Sequence, residues 1–534
     1  MANDTLYKIR TGDTLSGIAK RFGLKSWKNI YDYEKNAKFR KFRRKRYKLI
    51  SLEFEPLIYP RDRVWIPEVK GSRVGTCSGK PCVVTLKKVV TVPIIFIPGI
   101  MGSRLGMAGS SPEQLVWDPD SNWTMLKLIR STARTNRTFL GKSKLAVAVT
   151  CDQPGRDYFG WGGISWSYYG GVLEALERMQ FTGADTPVYA FGYDWRKSNE
   201  ISGKALKAFI DEVCEIEAAK SVILVTHSMG GLVARSCVKL SDGEKKVLAV
   251  IHGVQPCTGA PLAYRQLKAG RTKKADGLAM MAVLGGNPKS VAMVASAMPG
   301  SIELLPTDYY SGDEESIVQS WLIWEKEAGE NNQDTSEVLQ RQRGGDSDGR
   351  VTPLSLKHKA RNDIWYVYGY DDRASVIPKE WLAQADDTVD ADEKSFIQSI
   401  IKEFRDNIEA AREFHDKLKL QAHPHTHLIA CTGSETDYMT VLSGEDDTVD
   451  SIRRTTFLGD GTVPVISQTA LHRSQVDMYH VNCEFCEQGS GSTLAVAFDK
   501  IGHGYLYNKD NIGVTGVTLE HWLKCFLNLK SIRE

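Results

Sequence analysis

The chain has 534 residues, 42% hydrophobic and 25% charged, with a net charge of +4. That length allows two to four domains of ordinary size, and the composition excludes both wholesale disorder and a membrane-embedded body. The small net charge hides an asymmetry: residues 1–75 carry 19 Lys and Arg against 8 Asp and Glu, so the chain begins basic and continues mildly acidic. The start, MANDTLYK, has no apolar signal-peptide core, and no later run approaches the roughly 18 apolar residues of a spanning helix. Neither Sec-type export nor a membrane span is expected. Ten scattered cysteines trace no disulfide framework, which favours reduced thiols in a cytoplasmic product. The pairs Cys77/Cys82 and Cys483/Cys486 are close enough to share a metal, but their spacing is unusual and structural roles are favoured.

In chain order, residues 6–10 (LYKIR) alternate as a short strand should, and Asp13 or Thr14 is placed to cap a helix running to Phe22. Trp27 to Tyr31 reads as a second helix, Tyr59 to Arg63 as a turn, and VWIP at 64–67 as a closing strand. This order, with GDTL after the first strand and a final IP, resembles a LysM domain over residues 6–67; it departs from the shortest pattern by the stretch Asn36 to Ile58. LysM domains bind N-acetylglucosamine-containing glycans such as peptidoglycan, so the resemblance implies a wall-targeting module at residues 1–69. The basic run at 39–48 reads first as a solvated loop and second as an electrostatic grip on anionic wall polymer or lipid headgroups. A nucleic-acid partner is not expected, because no recognised binding fold accompanies the charges. Residues 70–90, rich in Gly, Ser and small polar residues, read as a linker to a second domain at 91–534.

From Val89 onward, strand and helix patterns alternate. Residues 89–97 read as a buried strand, Val172 to Met179 as a helix, 188–191 as a strand, Ala205 to Ala219 as a helix, 221–225 as a buried strand and Leu232 to Leu240 as a helix. The alternation predicts an α/β fold, a mostly parallel sheet with helices on both faces. At the strand-to-helix join lies THSMGG (226–231), where small residues permit the sharp turn that exposes a serine hydroxyl at a helix N-terminus. Ser228 is the candidate nucleophile, although Thr226 stands where such an elbow usually has glycine, which predicts a tight fit there.

Serine needs a base, and the base needs a carboxylate to hold its tautomer. GDGTVP (459–464) offers Asp460 and IGHGYLYN (501–508) offers His503, each flanked by glycines and in the chain order this fold uses. Asp386, Asp387, Asp446 and Asp447 lie in polar stretches and read as solvated loops, while His480 falls in a strand (476–481) and His521 on a C-terminal helix. His423, His425 and His427 would share one strand face and could ligate a metal, but no carboxylate or cysteine set completes them, so a surface cluster is favoured. The oxyanion donors would be the N–H groups of Met229, after the nucleophile, and Ile100, in the loop after residues 89–97. Residues 247–254 and 364–368 read as further strands. The cap or lid insertion between them, about 264–345, contains a Met-, Val- and Ala-rich stretch, Leu278 to Met298, that is either a buried helix pair or a lid with an apolar underside. Ala391 to Leu420 reads as a long amphipathic helix.

PGIMGSRL (98–105), YDWR (193–196), HSMGG (227–231), PGSIELLP (299–306), GDGTVP (459–464) and GHG (502–504) occur in the order found in lecithin:cholesterol acyltransferase-like lipases. The chain resembles that α/β-hydrolase group over about residues 91–510. The resemblance implies Ser228, Asp460 and His503 as the triad, Ile100 and Met229 as the oxyanion hole, Asp194, Trp195 and Arg196 as support near the site, and no cofactor. It further implies cleavage or transfer of fatty acyl groups of lipid or phospholipid esters, with peripheral membrane contact. Combined with the wall-binding module and the missing leader, the expectation is a bacterial lipase made in the cytoplasm and exported by a non-Sec, toxin-like route. An acyltransferase of the same mechanism and a catalytically dead wall-binding protein are the alternatives.

Overall fold

The apolar runs read as buried strands come together in the computed structural model as one seven-stranded sheet. The structure describes residues 5–8, 15–21, 24–34, 63–66, 90–110, 113–150, 159–181, 183–270, 287–310, 321–324, 364–371, 374–382, 390–442, 453–456, 458–472, 479–480, 494–499 and 501–527. From one edge the strands are Tyr479–His480, Leu494–Asp499, Thr426–Thr432, Val247–Gly253, Val222–His227, Ile94–Ile97 and Val188–Ala190. All neighbouring pairs are parallel. Every residue of Val222–His227 is buried, which is why that strand is a continuous apolar run and not an alternating one. The helices Trp166–Arg178, Asn199–Ile216 and Gly230–Leu240 begin earlier than their apolar periodicity suggests. Ser198, for example, caps Asn199–Ile216 by accepting from the Glu200 N–H at 3.1 Å. This is the sheet and helix arrangement of an α/β-hydrolase.

Two strand expectations are corrected. Residues 89–97 do not form one strand: Val90–Thr91 pairs with Ala184–Asp185, and Ile94–Ile97 enters the main sheet. Pro93 separates them, since it has no N–H to donate to a ladder, although its carbonyl still accepts from Ile223. Residues 364–368, strand-like in their β-branched and aromatic content, lie in a helix, Ile364–Tyr370. Trp365 and Tyr368 are buried there, the Trp365 ring stacks on His415 and the Gly369 carbonyl accepts from Arg405. Packing against the long helix Ala391–Leu418 has overridden local preference. That helix matches its expected span, is capped by Asp390 accepting from the Glu393 N–H at 2.9 Å, and buries Ile401, Phe404, Ile408, Ala411 and Leu418.

The histidine trio is corrected as well. The strand begins at Thr426, after His423 and His425, and His423 and His427 are buried, so the trio is not a surface cluster. His427 packs against the rings of Trp522 and Phe526. Among the described residues no group of three or more metal-ligating side chains occurs.

Of the Leu278 to Met298 stretch the structure describes 287–298, in which Asn287 and Lys289 are exposed and most of the residues from Val291 onward are buried. Helix Pro288–Ala295 buries Val291, Ala292, Val294 and Ala295, and Arg137 donates to the Met293 carbonyl and the Ser296 hydroxyl beside it. Val294→Asp is therefore expected to destabilise the fold by roughly 3–5 kcal/mol by burying an unpaired charge. Thermal melts should show this, and activities on vesicles and on a soluble ester should fall together. A loss confined to vesicles would instead mark this helix as a cover.

At the N-terminus, Thr5–Lys8 pairs antiparallel with Arg63–Ile66, enclosing helices Leu15–Arg21 and Trp27–Tyr31 in the expected strand, helix, helix, strand order. Leu15, Ile18, Ala19 and Ile30 are buried. Asp13, Thr14, the basic run at 39–48, the linker up to residue 89, both cysteine pairs, and Asp386, Asp387, Asp446 and Asp447 lie outside the described residues.

Candidate active site

Strand Val222–His227 turns sharply into helix Gly230–Leu240 through Ser228, whose φ of 51° is in the left-handed region. A non-glycine residue held there stores strain of order 1–3 kcal/mol, typical of a functional turn. Gly230 makes the turn possible: a Cβ at that position would lie 2.5 Å from the Pro98 carbonyl oxygen. Thr226 fits because its side chain faces the neighbouring strand, with Oγ1 and His252 Nδ1 3.0 Å apart.

Three separate loops bring the predicted residues together. His503 Nε2 lies 2.8 Å from Ser228 Oγ, and His503 Nδ1 lies 2.7 Å from Asp460 Oδ2. Asp460 is buried, and its other oxygen accepts from the N–H groups of Thr462 (2.9 Å) and Val463 (2.7 Å). The His503 N–H donates to the Asp460 carbonyl at 2.8 Å, locking the two loops at the backbone as well. With the carboxylate accepting from Nδ1–H, the Nε2 lone pair faces the serine hydroxyl, which is the tautomer a general base requires.

The loop after Ile94–Ile97 presses on the elbow: a Cβ on Gly99 would lie 2.9 Å from Ser228 Cβ. Neither the Ile100 nor the Met229 N–H has a hydrogen-bond acceptor among the described residues. Of the YDWR residues, Tyr193 and Trp195 reach this loop, Tyr193 by donating its hydroxyl to the Pro98 carbonyl at 3.1 Å. Asp194 accepts from Arg196 Nε and a second guanidinium nitrogen, both at 2.7 Å, while Arg196 also donates to the Leu140 and Ser143 carbonyls. Buried Trp195 packs edge-on against Trp117, whose Nε1–H donates to the Met101 carbonyl in the same loop at 2.8 Å. The PGSIELLP segment docks on the same motif, since a Cβ on Gly300 would lie 2.4 Å from the Trp195 carbonyl oxygen. Its Glu303, pushed up to about 7 by burial, accepts from the Asn199 N–H (2.8 Å) and amide (2.7 Å).

Sequence reasoning gave no role to Tyr169 or His227, yet both rings lie against the site, 5.5 Å from each other, with His227 5.1 Å from His503. Adjacency to Ser228 was a signal for His227. Tyr169, far away in sequence, left none.

A parallel sheet, a left-handed serine between a buried strand and a helix, and Ser, Asp and His in that chain order define the α/β-hydrolase class. The lecithin:cholesterol acyltransferase family model matches residues 146–344, which include Ser228 but end before Asp460 and His503. Among solved structures, a chain of the Tle4-Tli4 complex matches with a TM-score of 0.57 at 21% identity, covering 82% of this chain and 99% of that one. Lipase 1 from Pelosinus fermentans gives a TM-score of 0.30 at 14% identity, covering 81% and 98%. Mature lipase BlEst2 from Bacillus licheniformis gives 0.21 at 17%, covering 39% and 56%. No curated protein sequence matches the chain.

Proposed function

We propose that the protein is a serine hydrolase that cleaves acyl esters of lipids or phospholipids through an acyl-enzyme. The observation that carries this is the hydrogen-bonded series Ser228, His503, Asp460 at the elbow. His503 takes the Ser228 proton as Oγ attacks the ester carbonyl, and Asp460 stabilises the imidazolium that forms. The unpaired N–H groups of Ile100 and Met229 receive the oxyanion. His503 then protonates the departing alcohol, and a water activated by the same ring releases the fatty acid. Trp195 supports the oxyanion loop through Trp117, and the Asp194–Arg196 ion pair holds the turn that carries Trp195. A lipid substrate is supported by the family match over residues 146–344, and peripheral membrane contact belongs to the same reading. The same match favours an acyltransferase as the second reading, in which an alcohol replaces water.

The N-terminal strand, helix, helix, strand unit supports a LysM-type module that holds the enzyme on peptidoglycan, and the toxin-like export route belongs to the same reading. The Tle4 chain was crystallised with a second protein, Tli4, so a protein partner for this chain is part of it as well. Phospholipid vesicles incubated with the protein should yield free fatty acid and lysolipid by mass spectrometry. Intact lipids after long incubation would refute the hydrolase reading, and acyl transfer to an added alcohol in place of fatty-acid release would establish the second. Deleting residues 1–69 is expected to leave soluble-ester hydrolysis nearly unchanged and to reduce retention on insoluble peptidoglycan. Equal pull-down of both proteins would remove the targeting role.

A further inference from the structure

We infer that Tyr169 and His227 are positioning residues that couple the oxyanion loop to the base loop, through a relay of hydrogen bonds from the Gly99 N–H to the His503 backbone carbonyl. This rests on the Ser228, His503, Asp460 reading. The links are Gly99 N to Tyr169 Oη at 3.1 Å, Tyr169 Oη to His227 Nδ1 at 3.0 Å, and His227 Nε2 to the His503 carbonyl oxygen at 2.8 Å. Chemistry fixes the direction of each. A carbonyl only accepts, so His227 Nε2 carries the hydrogen. A neutral ring then leaves Nδ1 bare, so the Tyr169 hydroxyl must donate to it, and the Tyr169 oxygen accepts from Gly99. The ring is neutral because burial, then the nearby His503, push its pKa down to about 3. Burial pushes the Tyr169 hydroxyl up, so it keeps its proton.

The titratable groups facing His227 are Tyr169 from helix Trp166–Arg178, and His503 and Tyr507 from the segment after the strand Leu494–Asp499. None is a carboxylate that would draw a proton onto the ring. A neutral His227 does not repel His503 when the latter takes the serine proton. The relay holds Gly99, beside the donor Ile100, at a fixed distance from the backbone of the base, while the chain of His227 itself runs directly into Ser228. One buried ring thus sets the spacing between nucleophile, base and oxyanion donor. A Cβ on Gly99 would lie 2.9 Å from His227 Nδ1, so the loop has no slack toward this ring.

The test uses Tyr169→Phe, His227→Gln and His227→Asn in the full-length protein. Glutamine places an amide nitrogen near the position of Nε2, keeping the donor to His503 and losing the acceptor for Tyr169. Asparagine places its oxygen near Nδ1 and does the reverse. Rates on a soluble short-chain ester are normalised to sites titrated by a fluorophosphonate. Tyr169→Phe and His227→Gln are each expected to lower kcat about 10- to 100-fold with little change in KM, as misplaced reacting groups do. The double variant should be no slower than either single one, and His227→Asn should in addition move the acidic limb of the pH–rate profile, which reports the base. The relay is overturned by kcat per site within about threefold of wild type, by losses that multiply in the double variant, or by losses that only track Tm and the titratable fraction. Wild-type protein that no fluorophosphonate labels would instead refute the serine hydrolase reading; labelled wild type with fully active Tyr169→Phe refutes the relay alone.

Discussion

Ser228→Ala is expected to lower ester hydrolysis by about 10,000-fold or more, to the level left by binding and the oxyanion donors, while the protein stays folded. The turn is held by its backbone: the Ser228 N–H donates to the Gly253 carbonyl at 2.8 Å, and its own carbonyl accepts from Gly231 at 2.9 Å. Alanine meets the same left-handed cost as serine, so neither bond is disturbed. The lost hydroxyl leaves His503 Nε2 without its protein partner, but the ring is partly exposed and water can replace it. Titration with a fluorophosphonate, ester turnover and a thermal melt together decide the matter. Near-full turnover of a short-chain ester by Ser228→Ala would mean that the nucleophile lies elsewhere, and a collapsed melt would mean that the hydroxyl is structural.

Ser228 and Asp460 were legible in sequence because each sits where the backbone itself leaves a mark, and His503 by its place in the chain order. Gly99 and Gly230 admit no Cβ, Gly461 adopts a φ of 91°, and the strand before Ser228 is buried on both faces and therefore unbroken in its apolar run. Tight turns select residue types, and so they can be read. The relay could not be, since Tyr169, His227 and His503 meet only through the fold and their residue types are common in ordinary cores. The same limit explains the helix Ile364–Tyr370: its composition favours a strand, and only the long helix Ala391–Leu418 alongside it decides otherwise. Composition leaves Pro288–Ala295 open as well, because Met, Val and Ala suit a lid underside and a buried helix equally, and a closed lid buries its underside just as a core helix does. Residues 89–97 read as one buried strand, but Val90 and Thr91 are only half-buried and Pro93 divides the run between two sheets.

Asp460→Asn is expected to lower kcat by about 10,000-fold with little loss of stability, because asparagine matches the shape of the carboxylate but not its hydrogen bonds. Asp460 Oδ1 accepts from two backbone N–H groups and Oδ2 accepts from His503 Nδ1. An amide has one oxygen. If that oxygen keeps the Thr462 and Val463 N–H groups, the NH2 faces His503, whose Nδ1 must then lose its hydrogen and accept. The proton moves to Nε2, which now points a donor at Ser228 and can no longer take its proton. If the amide flips, its NH2 meets two backbone donors at about 3 Å and leaves them unpaired, at roughly 1–3 kcal/mol for each buried group. The first arrangement is the cheaper, so the variant should fold, pack and bind ester normally, with the loss confined to kcat. A crystal structure or a Tm close to wild type alongside that loss would establish the tautomer argument. Turnover within about tenfold of wild type would show that something other than Asp460 orients the base.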